Sequence, residues 1–264
     1  MSPTPPIAIV LAAGRGTRMG TDLPKVLCEA AGKPLVTWVL EALAAAGIEE
    51  RIVVVGDRAA DVERALAGVP GVFFALQTAL RGTGDAVAAA VPHLRRAGGG
   101  PARPVVIVCG DSPMLRPASI ARLLGEFAAR SAACLLGTTI AADPTGLGRI
   151  VRDDSGRFEA IVEERDATPQ QRLIREVNMS TYVFAAGALV DAVGRLDNGN
   201  AAGEYYLTDC PRLLASDGLV VDAVACLDES ESLSVNTPAQ LAAVAAALAA
   251  RPTGDEQGPA RHAG

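Results

Sequence analysis

The sequence predicts an α/β protein with a Rossmann-like, doubly wound and mostly parallel sheet. In the first half of the chain, apolar runs rich in β-branched residues alternate four times with helical patterns, as in successive right-handed βαβ units. The runs are continuously apolar, which is typical of strands covered by helices on both faces. The second half is less regular and contains a hairpin pattern, so we expect a mixed sheet with a smaller β region there.

Four pairs of strand and helix can be placed in order in the first half. The strands are expected at residues 7–13, 51–56, 71–76 and 104–110, and the helices after them at 34–46, 59–67, 85–93 and 117–130. Pro34 stands at the expected first position of its helix and Gly47 just beyond the end. In the second half, we expect strands at 133–139 and 180–186 and a hairpin over 148–164 that turns at 154–156.

Length and composition favour a single domain. The chain has 264 residues, half of them apolar, which is enough for a substantial core. We expect the domain to span residues 7–250, with one half at 7–115 and the other at 116–250. The two ends have no apolar periodicity, so residues 1–6 are expected to be flexible and residues 251–264 to form a disordered tail.

Several classes of protein are disfavoured by composition. The apolar run at 7–13 is too short to span a bilayer and follows no basic segment, so we expect a cytoplasmic protein that does not bind membranes. The five cysteines are scattered and contain no C-x-x-C pair, which predicts reduced thiols rather than a zinc site. A net charge of −6 without a basic run argues against a nucleic-acid partner.

The loop after the first strand carries the strongest functional signal. It reads LAAGRGTRMGTDLPKVL over residues 11–27. Its glycines allow backbone N–H groups to approach an oxyanion, and Arg15, Arg18 and Lys25 supply positive charge for a polyphosphate. A P-loop is excluded, because a P-loop has its lysine directly after the glycine turn and this chain has none before Lys25. A dinucleotide-binding motif is disfavoured, because Met19 occupies the place of its third glycine.

Two further loops follow predicted strands at the same edge of the sheet, where ligands of open α/β folds bind. Gln77 ends the third strand, and its amide can donate to and accept from one base edge. The Gly82-Thr83-Gly84 turn can bring backbone to the same base, although Thr83 can equally be a helix cap. Asp111 follows the fourth strand and suits Mg²⁺ bound to substrate phosphates.

The second half supplies polar residues suited to sugar hydroxyls. Glu163 and Asn178 each follow an apolar run, and two of the three tyrosines, Tyr205 and Tyr206, lie in one hexapeptide, GEYYLT. Individually each is more often a surface or turn residue, and only their combination indicates a binding site.

Together these segments resemble the sugar-phosphate nucleotidyltransferases, and within them the uridylyltransferase domain of the bacterial N-acetylglucosamine-1-phosphate uridylyltransferases. The match extends from about residue 7 to about residue 248 and includes LQTALRGTGDAV, GDSPML, DPTGLGRIVRD, IVEERDATPQQ, EVN and NAAGEYYLTD, in the family's order and spacing. The resemblance implies the GT-A-like fold of nucleotide-diphospho-sugar transferases, with a nucleotide-binding first half and a sugar-binding second half.

The resemblance also implies roles for residues at matching positions. Arg18 and Lys25 would be catalytic and contact phosphates in the transition state, while Asp111 and Asn236 would bind Mg²⁺. The residues implied in UTP binding are Leu11, Ala12, Ala13, Gly14, Arg15, Gln77, Gly82 and Thr83. The residues implied in sugar binding are Gly148, Glu163, Asn178, Tyr206 and Thr208.

The chain departs from the family pattern at several positions. Cys109 stands where the family has an aromatic residue, and Asp85 where it has histidine. Met179 and Ser180 replace Thr-Gly after Asn178, which leaves the identity of the sugar open. The family's bifunctional enzymes continue into a trimerising β-helix with acetyltransferase activity. This chain is therefore expected to lack that activity and to be a monomer or weak dimer.

The reaction implied is attack of N-acetylglucosamine-1-phosphate on the α-phosphorus of UTP, which forms UDP-N-acetylglucosamine and pyrophosphate. A phosphate monoester has a second pKa near 6 and is already ionised at neutral pH, so no general base is required. Positioning and charge neutralisation remain, and these tasks suit Mg²⁺ with Arg18 and Lys25.

Three alternatives are weighed against this function. The same chemistry could act on another hexose-1-phosphate or nucleotide. A non-catalytic nucleotide-sugar regulator is disfavoured, because a binding module needs no cations for a transition state and no metal pair. A dehydrogenase is disfavoured because Gly56, rather than an acidic residue, ends the second strand.

Overall fold

The computed structural model of the protein describes residues 4–251. Of the two ends predicted to lack order, residues 1–3 and residues 252–264 lie outside the described residues. Among residues 4–251, no helix is long and apolar enough to cross a membrane. The segment before the first strand is tied to the body, since the Arg103 guanidinium donates to the carbonyl of Pro5 (Nε to O, 2.9 Å).

Eleven strands and seven α-helices form the described part of the chain. The strands are β1 (Ile7–Leu11), β2 (Glu29–Ala30), β3 (Lys33–Pro34), β4 (Glu50–Val55), β5 (Val72–Leu76), β6 (Pro104–Cys109), β7 (Cys134–Ile140), β8 (Arg149–Arg152), β9 (Phe158–Val162), β10 (Glu176–Ala185) and β11 (Val221–Ala225). The helices are α1 (Leu35–Ala45), α2 (Ala59–Leu66), α3 (Thr83–Ala97), α4 (Pro117–Arg130), α5 (Ala186–Gly194), α6 (Cys210–Ser216) and α7 (Pro238–Ala249).

Nine of the strands form one mixed sheet in the order β11-β7-β10-β6-β1-β4-β5, with the β8-β9 hairpin attached to β10. Along the main path only β10 is antiparallel to its neighbours, β6 and β7. The predicted α/β class with a mostly parallel, mixed sheet is therefore confirmed. The predicted hairpin is also present, and Gly156 turns it with a φ of 81°.

Both faces of the sheet are covered, as the continuously apolar strands predict. Along β1, Ala8 and Val10 belong to a cluster that includes residues of α1, α2 and α4. Ile7 and Ile9 point the other way and belong to a cluster with residues of α3, α5 and α6. All four of these β1 residues are fully buried, so the protein is a three-layer α/β/α domain.

Two predicted boundaries need correction. The helix expected at 85–93 begins earlier and ends later, as α3, and runs through Pro92 because Leu94 beyond it is buried in the core. The strand expected at 180–186 starts at Glu176 instead. It contains a β-bulge between Asn178 and Thr181, which breaks the regular pattern of apolar residues.

The strand order creates a crevice between β1 and β6. After β1 the chain proceeds outward through β4 and β5, then returns to place β6 on the opposite side of β1, with Leu11 paired to Cys109. The loops that follow β1 and β6 therefore diverge at their carboxyl ends, which is where open α/β sheets bind ligands. Because β10 is antiparallel, its first residues lie at this same edge.

A segment of the second half, residues 204–208, packs over the start of α3. The N–H of Gly84 donates to the carbonyl of Tyr205 (2.8 Å), and the N–H of Leu207 donates to Oγ1 of Thr83 (3.0 Å). Thr83 makes no capping hydrogen bond to its own helix, so the helix-cap alternative is wrong. We call residues 204–208 the strap, because they join the two halves of the domain.

Close packing under the strap makes a testable prediction about two glycines in helices. A Cβ at Gly84 would overlap Leu196 and lie 3.0 Å from the Tyr205 carbonyl oxygen, whereas a Cβ at Gly125 would meet nothing within 4 Å. We expect Gly125→Ala to stabilise the protein by about 0.5–1 kcal/mol and Gly84→Ala to destabilise it by about 1–3 kcal/mol. Urea unfolding measures both, and equal gains would contradict the packing described.

Candidate active site

A cleft of about 310 Å³ opens at the carboxyl ends of β1 and β6. All eight residues implied in nucleotide binding line it, together with Lys25 and Asp111. Five further residues line the cleft that sequence reasoning did not select, namely Val26, Leu80, Ala86, Cys109 and Glu204. Cys109 could have been found from its place at the end of β6, whereas the apolar residues carry no chemical signal in the sequence.

The loop after β1 depends on Gly16, because no residue with a side chain fits at this position. Gly16 has a φ of 60°, in the left-handed region, and a Cβ there would lie 2.6 Å from Cβ of Lys25. This position therefore brings the Lys25 segment against the loop. Met19, in the place of the third glycine of a dinucleotide motif, is buried in a small core with Met114 and Val235.

Four predicted polar residues from three segments of the chain meet beside the cleft. Lys25 Nζ forms an ion pair with Asp111 and donates to Oδ1 of Asn236 (3.0 Å). Arg18 donates to the same Asn236 oxygen through Nη2 (3.0 Å). The side chains of Lys25 and Asp111 are only 14% and 15% exposed, so this contact is shielded from screening by solvent. The third predicted cation, Arg15, lies exposed on the cleft wall.

The donor set at this point fits a magnesium ion that is shared with a substrate. Asp111 and Asn236 offer a carboxylate and an amide oxygen to one position, which Lys25 Nζ now contacts. Within residues 4–251, no group of three or more histidine, cysteine, aspartate or glutamate side chains could hold a metal by itself. Mg²⁺ commonly takes one or two protein oxygens and completes its shell with water and substrate phosphates, so these residues fit it.

Gln77 lies at the base of the cleft and is 5% exposed. Its amide nitrogen donates to the Gly82 carbonyl (3.1 Å) and to Oδ2 of Asp85 (2.8 Å). Asp85, a departure from the family pattern, is in turn paired with Arg81 (Nη2 to Oδ1, 2.7 Å).

The residues implied in sugar binding form a second group around β8, β9, β10 and the strap. Thr208 donates through Oγ1 to the Glu163 carboxylate (3.1 Å). A Cβ at Gly148 would lie 3.5 Å from Cβ of Asn178 and 3.6 Å from Oε2 of Glu163, so these three residues adjoin one another. Tyr206 lies half-buried in the strap, two residues before Thr208.

Asn178 is already well partnered. Its amide nitrogen donates to the Tyr182 hydroxyl (2.7 Å), and its Oδ1 accepts from the N–H of Ser180 (3.2 Å). Ser180 has a φ of 50°, which accounts for the family's glycine at this position. A serine there is tolerated at a cost of roughly 1–2 kcal/mol.

Cys109 connects the cleft to the sugar-side group. Its thiol lines the cleft and adjoins the Ser180 side chain, so two departures from the family pattern meet at one point. Burial, and then the negative charge of Asp111, raise the pKa of Cys109 to about 12. The thiol therefore stays protonated at neutral pH and is not a nucleophile.

Burial also raises the pKa of Glu163 above its ordinary value of 4.5, and the hydrogen bond from Thr208 opposes this only in part. A charged carboxylate held in a shielded position is a strong acceptor for hydroxyl groups. The charged Glu163 carboxylate therefore lowers the stability of the folded protein, as is common for side chains that serve in ligand binding.

The space beyond the end of β4 that a dehydrogenase would use for ribose is filled. A Cβ at Gly56 would lie 2.8 Å from the Ala13 carbonyl oxygen and 2.8 Å from Leu80 Cδ2. No acidic side chain fits there, which agrees with the rejection of a dinucleotide site.

Fold and site together define a nucleotidyltransferase. The MobA-like NTP transferase domain family matches residues 8–194, and the chain belongs to this family. Members generally use a divalent metal ion.

Named relatives agree with the resemblance seen in the sequence, which is thereby confirmed. The bifunctional protein GlmU of Pelobacter propionicus is 42% identical over 244 residues, 92% of this chain and 52% of the relative. The bifunctional protein GlmU of Geobacter metallireducens is 45% identical over 235 residues, 89% of this chain and 48% of the relative. The chain thus spans about half the length of the curated relatives it matches.

Solved structures share the fold at low sequence identity. A protein of Bacillus anthracis, named as a candidate glucose-1-phosphate thymidylyltransferase, superposes with a TM-score of 0.74 at 17% identity and covers 95% of this chain and 98% of its own. A UDP-glucose pyrophosphorylase bound to UDP-glucose has a TM-score of 0.72 at 16% identity, with 93% and 98% coverage. The predicted nucleotide-diphospho-sugar transferase fold is confirmed.

The raised pKa of Glu163 predicts how stability depends on pH. The folded state binds this proton more tightly than the unfolded state, so the carboxylate destabilises the fold above its raised pKa and ceases to do so as the pH falls through it. We expect Glu163→Gln to raise the Tm at about pH 7.5, with a smaller gain at about pH 5.

Differential scanning calorimetry at the two pH values measures this difference. Exposed Glu159 on β9, the strand that Glu163 directly follows, provides the control, because Glu159→Gln changes the same group without burial. A Tm gain for Glu163→Gln that is the same at both pH values, or absent at both, would refute the assignment.

Proposed function

We propose that this protein forms UDP-N-acetylglucosamine and pyrophosphate from UTP and N-acetylglucosamine-1-phosphate. The observation that carries the proposal is the meeting of Arg18, Lys25, Asp111 and Asn236 at one point, between a cleft for a nucleotide and a polar group suited to a sugar. The GlmU relatives support this choice of substrates. The cytoplasmic setting and small-molecule partners expected from the sequence belong to the same proposal.

The nucleotide is proposed to lie along the loop after β1. Gln77 and the Gly82 backbone would contact the base at the inner end of the cleft, with Thr83 beside them. The backbone of Leu11, Ala12, Ala13 and Gly14 would support the ribose and phosphates, and Arg15 would reach the phosphates from the exposed rim.

The acceptor sugar is proposed to lie on the other side of Cys109. Glu163 and Asn178 would bind its hydroxyl and amide groups, and Gly148 adjoins both of them. Tyr206 and Thr208 would complete this pocket from the strap. Since Asn178 is held by Tyr182 and Ser180, its amide is presented in a fixed orientation.

The chemistry requires positioning and charge neutralisation rather than proton transfer. The sugar phosphate is already ionised at neutral pH, and the protonated Cys109 thiol at the junction does not compete as a nucleophile. Lys25 and Arg18 would neutralise charge that develops on the leaving pyrophosphate. Mg²⁺, held by Asp111 and Asn236, would supply Lewis-acid stabilisation of the phosphates.

Lys25 must therefore exchange partners during the cycle. In the free protein its ammonium is paired with Asp111 and Asn236, the two residues proposed to hold the metal. Arrival of a metal-bound triphosphate would offer Lys25 a new anion and Asp111 a new cation, so neither charge is left unpaired.

A second candidate is the same reaction on another hexose-1-phosphate or with thymidine triphosphate. Two observations support this candidate. The names of the two structural neighbours refer to glucose and, in one of them, to thymidylyl transfer, and two departures from the family pattern, Cys109 and Ser180, lie beside the proposed sugar pocket. A panel of nucleoside triphosphates against hexose-1-phosphates, assayed for Mg²⁺-dependent pyrophosphate release, separates the two. UTP with N-acetylglucosamine-1-phosphate is expected to react fastest. Tight UDP-sugar binding without pyrophosphate release from any pair would favour the regulator instead.

The position of Lys25 predicts the effect of its removal. Loss of one cation that stabilises the transition state typically costs about 10²–10³ in rate, so we expect that fall in kcat for Lys25→Ala. Lys33, the chain's other lysine, pairs with Glu41 away from the cleft, and Lys33→Ala should retain wild-type turnover. Steady-state pyrophosphate release compares the variants, and unchanged turnover in Lys25→Ala would rule out the role.

A further inference from the structure

The amide of Gln77 is held in one of its two possible orientations. Both hydrogens of Nε2 are used, one on the Gly82 carbonyl (3.1 Å) and one on Asp85 (2.8 Å). A carbonyl oxygen and a carboxylate can only accept, so the flipped amide would place Oε1 against two acceptors. No residue in the described range donates to Oε1, which is the group left for a ligand in the cleft that Gln77 lines.

Asp85 is itself fixed. Its Oδ1 accepts from Arg81 at both Nε (3.2 Å) and Nη2 (2.7 Å), which leaves Oδ2 directed at Gln77. Asp85 stands in the first turn of α3, where the helix dipole favours a carboxylate. The Arg81 guanidinium also lies over the Tyr205 ring (5.5 Å to its centroid), so the strap supports the arrangement from outside.

We propose that Asp85 is a positioning residue that sets which base the cleft accepts, by turning the Gln77 amide so that its oxygen faces the ligand. The proposal rests on the proposed function, in that a pyrimidine nucleotide occupies this end of the cleft. Uracil presents an N–H donor at N3 and is matched by an acceptor. Cytosine presents a lone pair at N3, which would face the Gln77 oxygen without a hydrogen between them.

A purely structural role for Asp85 makes a different prediction. An acidic residue in the first turn of a helix, paired with a nearby arginine, stabilises many helices without contacting any ligand. Asp61 is the matched case in this chain, because it stands in the first turn of α2 and pairs with Arg58 (2.7 Å) and Arg64 (3.2 Å). Removing either carboxylate should then affect stability alone.

The test measures binding of UTP and CTP by isothermal titration calorimetry, with magnesium chloride and without sugar phosphate. For Asp85→Ala we expect the ratio of the CTP Kd to the UTP Kd to fall about tenfold, because the loss of one hydrogen bond to a charged group lets the amide turn. Asp85→Asn should keep the wild-type ratio within about twofold. Its oxygen can still accept from Gln77 while the exposed Arg81 turns into solvent.

Asp61→Ala and Asp61→Asn serve as controls, and Tm values show whether all four variants fold. The proposal is overturned if Asp85→Ala keeps the wild-type ratio, if Asp85→Asn loses it as fully as Asp85→Ala, or if the wild type binds CTP as well as UTP. A wild-type preference for UTP that Asp85→Ala abolishes, without pyrophosphate release from any substrate pair, would refute only the proposed reaction and support the role of Asp85.

Discussion

The placement of β6 directly beside β1, parallel to it, is the constraint on which the site depends. Parallel neighbours must end at the same edge of the sheet, and here the chain leaves them towards opposite sides. The backbone loop after β1 and the carboxylate after β6 therefore face each other across a gap that neither strand can fill. An antiparallel β10 then brings the start of a third strand, with Asn178, to the same edge. Everything proposed to contact a substrate is reached from this one gap.

In that gap, the charge of Lys25 is neutralised by Asp111 before any ligand binds. The chain carries a net charge of −6, yet Lys25 and Arg18 are held beside the crevice by Asp111 and Asn236. A polyanion entering the cleft finds groups already desolvated and oriented, which lowers the reorganisation required in a transition state. On the other side of the cleft, Glu163 is held as a partly buried carboxylate, which raises its pKa.

The sequence was sufficient to place the loops of the site at one edge of the sheet and insufficient for contacts across long separations. Continuous apolar runs ending in Gly14, Gln77 and Asp111 predicted which loops share an edge, because parallel strands impose that geometry. Neither the approach of Asn236 to Lys25 nor that of the strap to Thr83 follows from local pattern, since each joins segments more than a hundred residues apart. The resemblance supplied Asn236 and Thr208, and only the structure showed which residues they contact. The predicted helix at 85–93 already ran through Pro92, but its extension from residue 93 to Ala97 was missed, where Leu94 is buried in the core.

The strap constrains how the two binding pockets could diverge in evolution. Its backbone closes over Gly82 and Gly84 at the base of the cleft, while Thr208 at its end holds Glu163 on the sugar side. Under the proposed function, a change in the strap that adapts the sugar pocket would therefore disturb the nucleotide pocket as well. Cys109 and Ser180 adjoin each other and take no part in the strap's hydrogen bonds, so under the proposed function acceptor preference could change there without altering the strap. Relatives with a new sugar and an old nucleotide should carry their differences at this pair.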